Sequence, residues 1–167
     1  MATFAEWLKN RFGTIEVLVN NAGAHFGFGN DVLSPDLTAA EVVFETNIIG
    51  TWRVTTALLP LVTRNGRGRT VNVSSDMGSL SLHCPGAPAY SISRASLNML
   101  TVKLADALRD RRILVNAASP DHVRTAQGGP DAPLSAEEGA KAVMSAVLIP
   151  DNGPTGRLFR ECTPSVW

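Results

Sequence analysis

The chain has 167 residues, 44% of them hydrophobic, enough for one domain with a core and too apolar for a disordered segment. Fifteen Lys and Arg balance fifteen Asp and Glu, so no net basic field exists to hold nucleic acid or an anionic membrane. No apolar run approaches ~20 residues, the start lacks the order of a signal peptide, and Cys84 and Cys162 alone suit neither a zinc site nor a disulfide framework, so a cytoplasmic, metal-free protein is expected.

Phe4, Trp7, Leu8 and Phe12 recur at helical spacing, and Gly13 stops that helix. Ile15–Val19 reads as a strand, and residues 20–37 as a loop rich in Asn, Gly, Asp, Ser and Pro. Thr38-Ala39-Ala40-Glu41 has capping-box spacing and opens a helix expected to run to about Arg64, where Asn65-Gly66 ends it. Thr70–Ser74 is a second strand, followed by a loop over 75–87. Pro88 opens a helix over 88–110 with Leu97, Leu100, Leu104 and Leu108 on its apolar stripe. Ile113–Ala117 is a third strand and 118–134 a loop. Ser135-Ala136-Glu137-Glu138 caps a helix to about Leu148, and Gly156–Phe159 is a last short strand.

Alternating strands and helices imply a parallel sheet with crossover helices. The fold expected over residues 1–167 is a single α/β domain: part of a Rossmann-type, doubly wound sheet, about four strands with flanking helices. If the strands lie in chain order, right-handed crossovers place helices 38–64 and 88–110 on the same face. The other face is then poorly covered, and helix 3–12 is the clearest candidate for it. The first strand keeps a free edge.

Ligands of open parallel sheets gather at the carboxyl ends of the strands. Three polar segments arrive there: Asn20-Asn21-Ala22-Gly23, Ser74-Ser75-Asp76 and Ser119–Thr125. They suit a ligand cleft, although ordinary turns favour the same residues. Tyr90 is the only tyrosine, and Arg94 follows one helical turn later. A cation there favours the phenolate, as a proton-donating tyrosine needs. A surface Tyr–Arg stack is the plainer alternative. Asn47 interrupts an apolar helix and needs a partner for its amide, either in the cleft or in a buried hydrogen bond. His25, His83 and His122 lack ligand spacing and read as loop histidines, and Cys84 as an ordinary thiol.

Five stretches in order resemble the short-chain dehydrogenase/reductase family. They are Leu18-Val19-Asn20-Asn21-Ala22-Gly23, Thr46-Asn47-Ile48-Ile49-Gly50-Thr51, Val71-Asn72-Val73-Ser74-Ser75, Tyr90-Ser91-Ile92-Ser93-Arg94-Ala95, and Val115-Asn116-Ala117 through Pro120 to Val123-Arg124-Thr125. The tail from Glu137 to Gly156 looks like carbonyl-reductase-type members. The resemblance implies an NAD- or NADP-dependent oxidoreductase acting on a small carbonyl or alcohol. It implies Tyr90 as general acid/base, Ser75 as the residue that orients the substrate oxygen, and Asn47 as support for a proton-relay water. Arg94 takes the place of a lysine beside Tyr90 and the cofactor ribose. Asn20, Asn21, Ala22 and Gly23 would line the adenosine side of the cofactor, and Pro120, Val123 and Thr125 the nicotinamide side.

Three departures accompany the resemblance. The sequence carries no TGxxxGxG-like turn, which in the family grips the pyrophosphate, so weakened cofactor binding and an absent upstream segment are expected. Arg94 keeps the charge of the family's lysine but does not release a proton. Asp121 stands where a glycine usually follows Pro120. The Ser75-to-Tyr90 interval is also long, the loop at 79–87 absorbing the excess, and residues 126–134 suit a substrate lid. The alternative expectation is a catalytically impaired interaction protein, dimerising through helices 38–64 and 88–110, or a gene fragment.

Overall fold

The computed structural model describes residues 2–26, 31–82, 84–165 and 167. His83, read above as a loop histidine, and residues 27–30 lie outside them. The chain runs α1 (Ala2–Phe12), β1 (Val17–Asn20), α2 (Leu37–Phe44), a π-helical segment (Glu45–Gly50), α3 (Thr51–Leu58), β2 (Arg69–Val73), α4 (Pro88–Ala107), β3 (Leu114–Ser119), α5 (Ala136–Val147), β4 (Leu158–Arg160) and β5 (Thr163–Ser165). The sheet order is β1-β2-β3-β4-β5, parallel up to β4 and antiparallel between β4 and β5. The α/β sheet expected from the alternating pattern is therefore present.

Side-chain alternation along the strands divides the core in two. Leu18 and Val115 face α3 and α4, where Leu58, Leu61, Leu97, Leu100, Leu104 and Ile113 close the larger cluster. Val71, Ala118 and Phe159 face the other way and meet Ala146, Val143 and Val147 of α5. Helix α1 does not cover that second face, contrary to expectation: Ala5 and Leu8 join the first cluster. α5 supplies the cover because the chain crosses over once more after β3. Its reach stops short of β1, where Val17 and Val19 stay 39% exposed on a strand whose outer edge pairs with no other strand among the described residues.

The strand and helix ends shift by one to three residues from the sequence reading, and three differences have a clear physical cause. The cap of α2 is Asp36, which accepts from the Ala39 N–H at 3.0 Å, rather than Thr38. The long helix ends at Leu61 rather than near Arg64. Pro60 sits in a terminal 3-10 turn, and Val62 then extends to bridge Ile15. β5 gave no hairpin signal, since its turn uses Glu161 and Cys162 at φ 47 and 64 instead of Asn or Gly. The expected box at α5 is present: Ser135 Oγ accepts from the Glu138 N–H, and a Glu138 carboxylate oxygen accepts from the Ser135 N–H.

Ser135→Ala is expected to cost about 1 kcal/mol in urea denaturation. The Ser135 backbone N–H, then its hydroxyl, hold the Glu138 carboxyl below its ordinary value of 4.5. A depressed carboxyl stabilises the fold above that value and loses its effect as acid protonates it. Glu138→Gln should therefore flatten the stability profile below about pH 5.

Candidate active site

The carboxyl ends of β1, β2 and β3, with one side of α5, surround a cleft of about 1120 Å³. Asn21, Ala22 and Gly23 enter it from β1, Ser75 and Asp76 from β2, and Pro120, Val123 and Thr125 from β3. Tyr90 and Arg94 enter from α4. Pro88 at the first position of α4, after Ala87 at φ 45, turns the chain so that this first turn points its side chains at the strand ends.

Tyr90 and Arg94 form a buried stack, not a surface one. They are 7% and 4% exposed, and Arg94 Cζ lies 4.8 Å from the Tyr90 ring centroid. Arg94 Nη1 donates to the Val73 carbonyl at 2.9 Å. Gly23 lacks a side chain where one must be lacking, because a Cβ there would run into the guanidinium. Ser75 Oγ accepts from the Met77 N–H at 3.2 Å, capping the 3-10 turn Asp76–Gly78, and this leaves its own O–H to donate. The Asp76 N–H donates to Ser119 Oγ at 3.1 Å, and Arg160 Nε pairs with the Asp76 carboxylate at 2.8 Å, so the segment beside Ser75 is held from two neighbouring strands.

Two expected site residues lie behind the cleft wall. Asn20 turns its amide to the opposite face, where it donates to Thr55 Oγ1 at 2.9 Å and Asn72 Oδ1 at 2.8 Å. Even alternation along β1 sends Leu18 and Asn20 to the helices and Val19 to the cleft, so Asn20 does not line the cavity. Asn47 is fully buried on the π-helical segment. It clamps Ala24, accepting from its N–H at 2.7 Å and donating to its carbonyl at 3.0 Å, and it also donates to Ser93 Oγ at 2.9 Å. The amide thus holds a backbone group between the cleft-lining residues Gly23 and His25, an arrangement common to both readings of Asn47. Ser93 passes the link on by donating to the Tyr90 carbonyl at 2.7 Å.

Asp121 occupies the left-handed region at φ 63, and its carboxylate accepts from the His122 N–H at 2.8 Å. That conformation suits glycine, the residue the resemblance leads one to expect there, and aspartate tolerates it better than most residues do. His122 Nε2 donates to the Gly128 carbonyl at 2.8 Å and ties the loop to itself. Cys84 lines the cleft, with Sγ 3.8 Å from the Asp76 carbonyl. Among the described residues no His, Cys, Asp and Glu cluster suits a metal, and no helix is long and apolar enough to cross a membrane.

Sequence reading missed His25. Its ring centroid lies 4.5 Å from that of Tyr90, tilted by 44°. Burial lowers its pKa below the ordinary 6.5, a backbone hydrogen bond opposes this, and Arg94 repulsion adds to the lowering. The unfolded chain therefore binds this proton more tightly, so the contribution of His25 to stability is present above 6.5 and is lost as pH falls below that toward the lowered value in the folded chain. The only signal available was its place two residues after the Asn-Asn-Ala-Gly run.

A family model described as short chain dehydrogenase matches residues 1–132. The chain belongs to the short-chain dehydrogenase family. Carbonyl reductase [NADPH] 1 of Pongo abelii is 31% identical over 97% of this chain and 73% of its own length. The C-signal of Myxococcus xanthus is 34% identical over 88% of this chain and 89% of its own length. The chain spans from 60% to 89% of the length of such curated relatives. Among solved structures, salutaridine reductase from Papaver somniferum superposes with a TM-score of 0.82 at 27% identity, over 95% of this chain and 77% of that one. The Rossmann-like α/β fold and the membership read from five motifs are thereby shown.

Asn47→Ala would leave both polar groups of Ala24 without their partner. A loss of about 3 kcal/mol in urea denaturation is expected, at the scale of ~1–3 kcal/mol per buried unpaired group. A loss below about 0.5 kcal/mol, near that of an ordinary surface change, would show that the clamp does not hold the loop.

Proposed function

We propose that the chain is an NAD(P)-dependent oxidoreductase that reduces a small carbonyl or oxidises the matching alcohol. The supporting observation is the meeting of Tyr90, Arg94 and Ser75 in one cleft at the ends of three parallel strands. The likeness to proteins named carbonyl reductase [NADPH] favours the reducing direction and NADPH.

The residues present fit the nicotinamide half of such a dinucleotide. Pro120, Val123 and Thr125 line the cleft where the nicotinamide would sit, Asn21, Ala22 and Gly23 line it toward the adenosine side, and Arg94 is available to donate to ribose hydroxyls. The pyrophosphate finds less. No Gly-rich turn is in the sequence, and the Glu138 N–H near the start of α5 is already taken by Ser135. A bound reduced dinucleotide supplies the hydride. Tyr90 gives its phenolic proton to the carbonyl oxygen, and Ser75 steadies that oxygen with its hydroxyl. Arg94 offsets the charge left on the phenol. The same reading puts the protein in the cytoplasm, where Cys84 and Cys162 stay reduced.

A second reading is a binding or signalling protein that has lost turnover. It is favoured by the likeness over 89% of the length of a relative named C-signal. Exposed Leu37 and Val42 on α2, Trp52 on α3, and Ile92 and Met99 on α4 would then form the face through which two copies pair.

Purified chain titrated with NADPH and then given an aromatic aldehyde separates the two readings. Oxidation of NADPH at 340 nm is expected, and Tyr90→Phe should lower it by at least ~100-fold with NADPH binding kept. No NADPH binding up to millimolar concentration, with dimers in sedimentation, would overturn the first reading in favour of the second.

A further inference from the structure

Helix α5 carries a glycine in its interior, at a position where alanine would form the better helix. Gly139 is buried, and both it and Val123 line the cleft. A Cβ at position 139 would stand 2.4 Å from Val123 Cγ2, 3.2 Å from Cγ1 and 3.4 Å from Cβ. Apolar carbons rest at about 3.5–4.0 Å, so the nearer methyl would have to retreat by about 1 Å. Valine is stiff about its first side-chain torsion, and two of its carbons meet the added atom too closely.

The helix and the loop are each anchored where they meet. The Ser135–Glu138 box fixes α5 just before Gly139, and the buried Ala142 and Ala146 fix it just after, Ala146 against Val71, Ala118 and Phe159. The backbone on both sides of Val123 is bound to Leu134. The Arg124 N–H donates to the Leu134 carbonyl at 2.8 Å, and the Leu134 N–H donates to the His122 carbonyl at 3.3 Å. Gly128 presses on Val123 from the loop itself, since a Cβ there would meet the Val123 carbonyl oxygen at 2.0 Å. The direction left to a displaced Val123 side chain is the cleft that it lines. We infer that Gly139 is a positioning residue for the cofactor: by lacking a side chain it lets Val123 stand back and leaves room for the nicotinamide ring. This rests on the oxidoreductase reading, which puts the nicotinamide beside Val123. Gly139 acts through Val123 and takes no part in the transfer of hydride or proton.

Gly139→Ala should bind NADPH about 10-fold more weakly in a fluorescence titration, the scale of one overpacked contact. Its KM for NADPH should rise by the same factor. Its kcat and its KM for an aromatic aldehyde should stay within about twofold, because only uniform cofactor binding is lost. The methyl resonances of Val123, assigned by their loss in Val123→Ala, should shift in Gly139→Ala with no cofactor present. Val123→Ala keeps only the Cβ, which clears position 139 at 3.4 Å. On that background Gly139→Ala should therefore cost less than about twofold in NADPH affinity. The same comparison serves where Gly139→Ala alone fails to fold, since the double variant carries no overlap. Unchanged NADPH affinity in Gly139→Ala, unmoved Val123 methyls, or an equal loss on the Val123→Ala background would overturn the inference. A wild type that neither binds NADPH nor reduces the aldehyde, with the methyls still moved, would sink the oxidoreductase reading and uphold the spacing of Val123 by Gly139.

Discussion

A buried cation lying on an aromatic ring organises this molecule. Arg94 has no carboxylate partner among the described residues. Taking a guanidinium out of water costs several kcal/mol unless polar and aromatic groups replace its hydration. The Val73 carbonyl and the Tyr90 face supply part of that replacement, the latter at up to about 2 kcal/mol, while the buried Nε has no hydrogen-bond partner among the described residues. Both depend on the backbone around them. Val73 must end β2 at the right height, and Gly23 must offer no side chain. The cleft is thus arranged around one charge reached from three elements.

The position of that charge is fixed from behind. Asn47 holds Ala24 by two hydrogen bonds and reaches the Tyr90 carbonyl through Ser93. The π-helical turn brings the amide round to the loop after β1, at a point where a regular helix would carry it past. Asn20, Asn72, Thr55 and Thr101 form a second polar chain through the apolar face, locking β1 and β2 against α3 and α4. Polar residues within the core here set register, a role that hydrophobic contacts fill poorly.

Much of this was legible in the residues. Apolar runs separated by helical stripes gave the parallel order, and Asn-Asn-Ala-Gly, Ser75 and Tyr90-x-x-x-Arg94 placed the cleft. What escaped did so for physical reasons. The cover that α5 gives to the second face depends on where the chain crosses after β3, which periodicity does not encode. The short strand β5 uses non-glycine residues at positive φ and contains Pro164, so it resembles a loop in sequence. Asn20 sits in the motif yet faces away, because strand alternation outranks proximity. His25 became visible only when the loop folded back onto Tyr90, a tertiary contact with no local signature.

The outer margin of β1 has a consequence of its own. Among the described residues no strand pairs with β1 on that side, while on the other side it is held by β2. One strand therefore combines two exchange regimes: fast isotope uptake along one flank, and slow uptake along the other, governed by opening of the sheet. Val17 and Val19, beside the fast flank, give an incoming strand a greasy shelf on which to align, as open sheet edges generally do.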